Sequence, residues 1–151
     1  MDETGIDDNE IYEYAWGLKG ERIHVLKQSY RKRRISIISA LCGKTLEAPF
    51  VFEGHCDREV FQTYIDAVLV PCLKPNQVVI MDNASFHKGK GVQESIEKAG
   101  CRLIYLPAYS PDLNPIEHCW HALKNTIRKF LSRNNKDLYA AATSAFLNVT
   151  T

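Results

Sequence analysis

The sequence has no run of about 18 apolar residues, the length that a membrane-spanning helix needs, so we expect no membrane partner. The first ten residues carry five acids and no apolar segment, which is not the form of a secretory signal peptide. The five cysteines are scattered and include no Cys-x-x-Cys pair, which favours reduced thiols in a cytoplasm over a disulfide framework. The net charge of +1 does not by itself indicate a nucleic-acid-binding protein.

The composition that is present is that of one globular domain covering residues 1–151, with 45% hydrophobic and 25% charged residues. The β-branched stretch at 34–42 predicts a buried strand, and 47–54 predicts its hairpin partner across a turn at Gly43 and Lys44. Further strands are predicted at 77–82 and 101–106, and helices after Asp57, before Gly100, from Ile116 to Leu131 and over 136–147.

The order of these segments predicts a mixed sheet. Strands that alternate with helices in the second half imply parallel pairing through right-handed crossovers, and the early hairpin adds antiparallel strands. The strand at 77–82 is a continuous apolar run, which is typical of a strand buried on both faces. We therefore expect an α/β fold with helices on both faces of the sheet. Residues 12–27 have mixed periodicity and predict no single element.

The stretch YSPDLNPIEHCWHALK, residues 109–124, begins a helix and carries a glutamate in its first turn. Asn114 is a suitable N-cap and Pro115 fits the first helical position. Glu117 then occupies the acidic position of a capping box. A helix-cap role alone would therefore account for Glu117.

Asp82 changes that interpretation because it ends the apolar strand at 77–82, where a buried carboxylate is costly. In open α/β sheets ligands bind at the carboxyl ends of strands, and the loop after 101–106 leads from the same edge to Glu117. Two carboxylates at one edge repel each other, and a divalent metal is the usual reason to tolerate them. A third acid would complete a two-metal site, and local reasoning leaves four candidates: Asp2, Glu3, Asp7 and Asp8.

Three motifs together resemble the DDE domain of insertion-sequence transposases in the mariner superfamily: MDETG, IMDNASFHK and YSPDLNPIEHCWHALK. Thirty-four residues separate Asp82 from Glu117, a spacing that is the hallmark of this group. The resemblance implies an RNase H-like fold in which Asp2, Asp82 and Glu117 are catalytic and hold two Mg²⁺ ions, with Mn²⁺ as a substitute. In that arrangement Asp2 would bridge the two ions.

The same resemblance implies the activity and its setting. The chain would be a DDE endonuclease that hydrolyses DNA and carries out strand transfer during transposition. Its partners would be transposon ends and target DNA, bound by a homodimer or a higher assembly. The protein would lie in a bacterial cytoplasm and associate with the nucleoid when bound to DNA.

Other residues of these motifs are candidates for DNA contacts. Lys124 and Arg128 lie seven and eleven positions after Glu117, so all three residues would lie on one helix face. The two cations would then bind DNA phosphates. Asn83 matches the family motif but is equally explained as a turn residue. His87 also matches the motif, and the ordinary explanation for it is a histidine at the start of a helix or on the surface.

Two further patterns are explained without a functional site. The basic block at 31–34 is typical of a solvated surface, although it could also contact phosphates. His118, Cys119 and His121 could share a metal, but no second ligand pair in the sequence has the spacing of a zinc site.

The chain also departs from the family pattern. We find no N-terminal helix-turn-helix domain of the kind that recognises transposon ends. In the family the first acid ends the first strand, but only Met1 precedes Asp2 here, so we expect that strand to be largely missing and Asp2 to lie on a mobile terminus. We therefore interpret the chain as truncated at its N-terminus.

Two functions from different classes stay open on the sequence. One is the catalytic domain of a DNA transposase. The other is a truncated, inactive remnant that binds only DNA or a partner chain. A generic RNase H-like nuclease is a third interpretation, but the 34-residue spacing and the SPDLNPIE loop argue against it.

Overall fold

The structure is a computed structural model, and it describes residues 1–7, 33–108, 110–131 and 137–149. The segment of mixed periodicity at 12–27 lies outside these ranges. The first half of the basic block at 31–34 lies outside them too.

The first three strands form an antiparallel sheet in the order β1-β2-β3. They are β1 at Asp2–Asp7, β2 at Arg34–Cys42 and β3 at Thr45–Glu53. The predicted hairpin turn between β2 and β3 is confirmed: Gly43 has a φ of +62°, a left-handed value that glycine adopts without a Cβ penalty.

The expectation that the first strand is largely missing is wrong. Strand β1 has six residues and follows Asp2 instead of preceding it. It pairs with β2 from Asp2 opposite Ser39 to Asp7 opposite Arg34, and Asp2 is buried within the fold. The sequence DETGID has a low intrinsic tendency to form a strand, so the pairing with β2 and the burial of Ile6 determine its conformation.

Two later strands pair in parallel, as the alternation of strands and helices predicts. Strand β4 covers Val78–Met81 and β5 covers Arg102–Tyr105, and they pair residue by residue in parallel. The helix α2, Lys90–Lys98, connects them and is followed by Gly100 with a φ of +75°. The amino group of Met1 donates a hydrogen bond to the carbonyl of Ile80 (2.6 Å), which joins this pair of strands to β1.

The prediction that the strand at 77–82 is buried on both faces is wrong. Val79 and Met81 are buried, but Val78 is 38% exposed and Ile80 is 46% exposed. On the adjacent strand β5, Ile104 is 47% exposed. The described helices therefore cover only one face of β4 and β5, and the apolar run does not distinguish a covered face from an open one.

The helices that cover the sheet begin and end close to the predicted positions. Helix α1, Arg58–Tyr64, starts at Asp57, whose side chain accepts from the backbone N–H groups of Glu59 and Val60. It continues through one π-helical turn at Ile65–Leu69. Helix α3 covers Ile116–Leu131 and α4 covers Leu138–Val149. In the described ranges no helix has both the length and the apolar character that a bilayer crossing needs.

Apolar side chains pack on both faces of the antiparallel sheet, which confirms the predicted helices on both faces. Successive residues of a strand point to opposite faces, so Ile37 and Ile38 contribute to different cores. The core that contains Ile37 includes the apolar stripe of α3, with the five predicted residues: Ile116, Trp120, Leu123, Ile127 and Leu131. The core that contains Ile38 is built with α1, its π-helical turn and α2, for example through Phe61 and Val92.

Candidate active site

The three acids of the predicted site line one cleft of about 500 Å³. Asp2 lies at the start of β1, Asp82 directly follows β4, and Glu117 is in the first turn of α3. Because β4 and β5 are parallel, their carboxyl ends share an edge, and the loop after β5 leads from that edge to α3. The remaining lining comes from the two loops that follow these strands: Asn83, Ala84, Ser85, Leu106, Pro107, Ala108, Ser110 and Asn114.

Asp2 is the most enclosed of the three acids, with 6% of its surface exposed. Its Oδ1 accepts a hydrogen bond from the backbone N–H of Glu3 (2.7 Å). Its Oδ2 accepts from the side-chain amide of Asn114 (3.1 Å) and from the indole N–H of Trp120 (3.3 Å). Burial raises the pKa of Asp2 to about 6 against the effect of the Glu3 hydrogen bond, and the nearby charge of Glu117 contributes to the rise.

Asp82 has the opposite electrostatic environment. Its Oδ1 contacts Nδ1 of His87 and accepts from the backbone N–H of Ala84 (3.3 Å). The hydrogen bond from His87 lowers the pKa of Asp82, although partial burial opposes the effect. Asp82 is therefore held as a carboxylate, whereas Asp2 has an increased affinity for a proton.

His87 is fixed by its surroundings. Its side chain is 1% exposed, and its ring centroid lies 4.1 Å from that of Phe61 and 4.2 Å from that of Phe86. The hydroxyl of Tyr105 donates to the carbonyl of His87 (2.9 Å). These contacts leave the imidazole little freedom to turn, so His87 in turn restrains Asp82.

Glu117 is exposed, and its backbone N–H donates to the carbonyl of Asn114 (3.2 Å), which begins helix α3. Lys124 lies two turns further along the same helix. Burial lowers the pKa of Lys124, the positive charges of Arg128 and Arg34 lower it further, and the carboxylates of Glu117 and Asp2 raise it. A group of cations therefore lies beside the acidic cleft.

Comparison with known proteins identifies the family. Residues 1–139 match the family described as DDE superfamily endonuclease. The chain belongs to this family. The Tcb1 transposase of Caenorhabditis briggsae is 27% identical to it over 100 residues, which are 64% of this chain and 37% of that protein. The IS630 insertion-element "uncharacterized 39 kDa protein" of Shigella sonnei is 26% identical over 130 residues, which are 85% of this chain and 38% of that protein.

Solved structures show the same fold. The Mos1 mariner paired-end complex with Mn has a TM-score of 0.65 at 14% identity, over 98% of this chain and 50% of that chain. The corresponding complex with Mg has a TM-score of 0.61 at 14% identity, over 99% of this chain and 54% of that chain. At this identity the likeness concerns the fold alone, and it confirms the predicted RNase H-like α/β architecture. The chain spans less than two fifths of the length of the two relatives.

The other predicted residues of this DDE-family chain lie in different environments. Asn83 lines the cleft. Lys124 is half-buried and close enough to Glu117 and Asp2 for their charges to raise its pKa, whereas Arg128 is exposed and lies near Lys124. His87 offers almost no surface to DNA in this structure, since its side chain is buried against Asp82.

Two donors to Asp2 were not predicted in that role, and Arg34 was considered only as part of the basic block at 31–34. Asn114 was expected only to cap α3 and Trp120 only to pack in the core, yet both donate to Asp2. The signal for Trp120 is physical: a buried indole N–H usually needs a hydrogen-bond partner. Arg34 crosses β1 at Gly5, where an added Cβ would lie 2.5 Å from Nη2 of the guanidinium. Gly5 thus leaves the space in which Arg34 lies.

The donor chemistry of the cleft fits a hard divalent cation, because carboxylate oxygens are the ligands that Mg²⁺ and Mn²⁺ prefer. Among the described residues, however, no group of three or more His, Cys, Asp or Glu side chains is arranged to hold a metal ion as it stands. Asp82 is turned to His87, and Oδ2 of Asp2 accepts from Asn114 and Trp120. Metal binding at the three acids would therefore require the side chain of Asp82 to turn within the cleft.

Proposed function

We propose that this chain is the catalytic domain of a DNA transposase that hydrolyses DNA phosphodiester bonds and joins the freed 3′ ends to target DNA. The observation that carries the proposal is that three carboxylates from separate parts of a DDE-family chain line one cleft. One of the relatives is a transposase, which supports the same activity. The charges of Glu117 and Asp82 raise the pKa of Asp2, and this electrostatic interaction also supports a shared site.

Asp2, Asp82 and Glu117 would hold two divalent ions in this proposal, Mg²⁺ or Mn²⁺. The Mos1 neighbours with Mn and with Mg support that choice of metal. When bound, two such ions supply activation of the attacking oxygen and stabilisation of the leaving 3′ oxygen. The chain itself orients the ligands: Asn114 and Trp120 hold Asp2, and His87 holds Asp82 as a carboxylate.

The cations beside the cleft would bind the DNA backbone. Lys124 and Arg128 lie on the helix that carries Glu117, and Arg34 reaches the same region across Gly5. Contacts between such side chains and phosphates are independent of base sequence, so they orient the strand without selecting it. Asn83, which also lines the cleft, would act as a hydrogen-bond partner of the DNA.

The partners follow from the activity. The substrates would be transposon ends and target DNA, held by a homodimer or a higher assembly in the cytoplasm, on the nucleoid. The curated relatives are more than twice as long as the region they share with this chain. Recognition of specific DNA ends and assembly on them are therefore proposed for the whole protein, and phosphodiester chemistry for the cleft.

The substitution Glu117→Gln tests the proposal. Glutamine is also accepted in a capping box, so helix α3 keeps its start, but the side chain loses the charge that a metal needs. We expect nicking of supercoiled plasmid DNA in Mn²⁺ or Mg²⁺ by the native chain and a loss of at least a hundredfold in the variant. Glu94→Gln, at an exposed position on α2, is the matched control and should keep full activity.

Two results would contradict the proposal. Undiminished nicking by Glu117→Gln would remove Glu117 from the chemistry. DNA binding by the native chain without any metal-dependent nicking would favour the inactive remnant that binds only DNA or a partner chain.

A further inference from the structure

We propose that Asn114 and Trp120 are positioning residues, which tie Asp2 to helix α3 and so set the position of Asp2 relative to Glu117. The inference rests on the proposed function, because it concerns how the candidate metal site is held in shape. Neither residue needs to touch DNA or a metal in this role. Both act through the carboxylate of Asp2.

The two hydrogen bonds connect parts of the chain that are far apart in sequence. Asn114 and Trp120 lie 112 and 118 residues after Asp2, and both donate to the same oxygen, Oδ2. The two donors and Asp2 are all buried, with exposed fractions of 8%, 2% and 6%. Water therefore competes little with these bonds, and in such surroundings a hydrogen bond to a charged acceptor is strong.

The positions of the donors relative to Glu117 give the bonds their significance. Asn114 precedes Glu117 by three residues and Trp120 follows it by three, so the two donors bracket it at the start of α3. The helix segment that presents Glu117 to the cleft is therefore the segment that holds Asp2. A shift of this segment would move both carboxylates together and would keep their spacing.

The acceptor sites of Asp2 show which oxygen remains for a cation. A carboxylate offers about four acceptor positions, two on each oxygen. In the described part of the chain, Oδ2 accepts from Asn114 and Trp120 and Oδ1 accepts from Glu3. One position remains, on Oδ1. Asp2 would thus offer Oδ1 to a metal, and it could bridge two ions only by releasing one of its three donors.

A purely structural role for the two donors predicts a different outcome. A buried carboxylate needs hydrogen bonds wherever it lies, so the loss of one donor lowers the free energy of unfolding in either case. Only a positioning role also lowers the affinity for metal. Removal of a hydrogen-bond partner of a metal ligand typically costs ten- to a hundredfold in metal affinity.

The test measures Mn²⁺ binding by titration calorimetry on the native chain and on Trp120→Phe, which keeps an aromatic ring but lacks the N–H donor. We expect the dissociation constant for Mn²⁺ to rise at least tenfold. The matched control is Tyr64→Phe, which removes a buried hydroxyl that has no hydrogen-bond partner in the described structure and lies in the other core. The control should bind Mn²⁺ like the native chain.

Asn114→Ala is the second variant, in case Trp120→Phe does not fold. The carbonyl of Asn114 that accepts from Glu117 belongs to the backbone, so alanine keeps the first bond of helix α3. We expect a similar loss of Mn²⁺ affinity. Native binding in both variants would overturn the positioning role and leave the proposed function intact. If the native chain itself does not bind Mn²⁺, the metal site of the proposed function fails, and the positioning role fails with it.

Discussion

Asp2 and Asp82 border the same cleft but hold protons with different strength. Burial raises the pKa of Asp2 to about 6, whereas the hydrogen bond from His87 lowers the pKa of Asp82. Near neutral pH, Asp2 is thus the acid that gains most from a nearby cation, because a cation compensates for the cost of a buried charge. This difference between two aspartates at one edge comes from their neighbours, since the side chains are the same.

The stability of the metal-free chain should depend on pH through Asp2. The folded pKa lies above the ordinary value of 3.8, so the folded state binds more protons between about pH 4 and pH 6. The contribution of Asp2 to stability is full below that window and is lost as the pH rises through about 6. A difference of about two between the folded and the ordinary pKa of Asp2 corresponds to roughly 3 kcal/mol in the free energy of unfolding.

Urea unfolding of the native chain and of Asp2→Asn, from pH 4 to pH 8 without metal, measures this contribution. We expect the native chain to lose stability relative to the variant as the pH rises, because asparagine does not ionise. A difference that stays constant over this range would show that Asp2 does not titrate near pH 6.

The contact between His87 and Asp82 gives a second prediction at the scale of single residues. The substitution His87→Leu should raise the pKa of Asp82 towards its ordinary value, because the largest effect that lowers it is the hydrogen bond from His87. Carboxyl ¹³C NMR titration measures the change. Phe86→Leu, which alters the ring packing around His87 without removing that donor, is the control and should leave the pKa of Asp82 low. If the pKa of Asp82 is unchanged in His87→Leu, His87 is not the residue that lowers it.

Helix α3 combines several tasks in one element. Its apolar stripe packs against the sheet, its first turn presents Glu117, and Lys124 follows near the acids with Arg128 beside it. The loop before the helix fixes where it begins and therefore where Glu117 points. A helix start and a candidate ligand are thus compatible roles for the same residue.

The proposed role of α3 in DNA binding predicts a change in salt dependence. Lys124→Ala should weaken binding to DNA of any sequence and reduce the slope of log K against log salt by about 0.9, the value for one phosphate contact. Binding measured by fluorescence anisotropy between about 50 and 200 mM salt gives that slope. Lys44→Ala, in the exposed turn between β2 and β3, should leave the slope unchanged. An equal slope in Lys124→Ala and the native chain would remove Lys124 from the interface.

Periodicity predicts the elements whose signal is local. The stripe of α3, the hairpin at Gly43 and the parallel pairing of β4 with β5 all follow from residue spacing and from turn chemistry. Residue spacing does not predict strand β1, because its acids and glycine acquire strand structure only through pairing with β2. Residue spacing also does not predict the open outer face of β4, since an apolar run carries no information about what covers it.

The site shows the same division between local and long-range signals. The spacing of Asp82 and Glu117, together with the parallel strands, predicts that these acids meet at one edge, and they do line one cleft. The donors to Asp2 and the position of Arg34 depend on contacts across more than a hundred residues or between neighbouring strands. No sequence pattern of one chain indicates which residues such contacts join.

At the scale of the whole molecule, the cleft lies where the parts of the fold meet. Met1 joins the antiparallel sheet to β4, Asp2 follows it directly, and Trp120 of α3 donates a hydrogen bond to Asp2. The three acids come from segments that only the complete fold brings together. The membership of the chain in the DDE family and this shared cleft support the central claim that Asp2, Asp82 and Glu117 form one metal site.

Thermal unfolding with and without metal tests that claim most directly. A metal that binds only the folded state raises its stability with concentration, so millimolar Mn²⁺ or Mg²⁺ should raise the Tm of the native chain. The rise should be much smaller in each of Asp2→Asn, Asp82→Asn and Glu117→Gln if all three acids share the ions. No rise in the native chain, or an equal rise in the three variants, would contradict a common metal site.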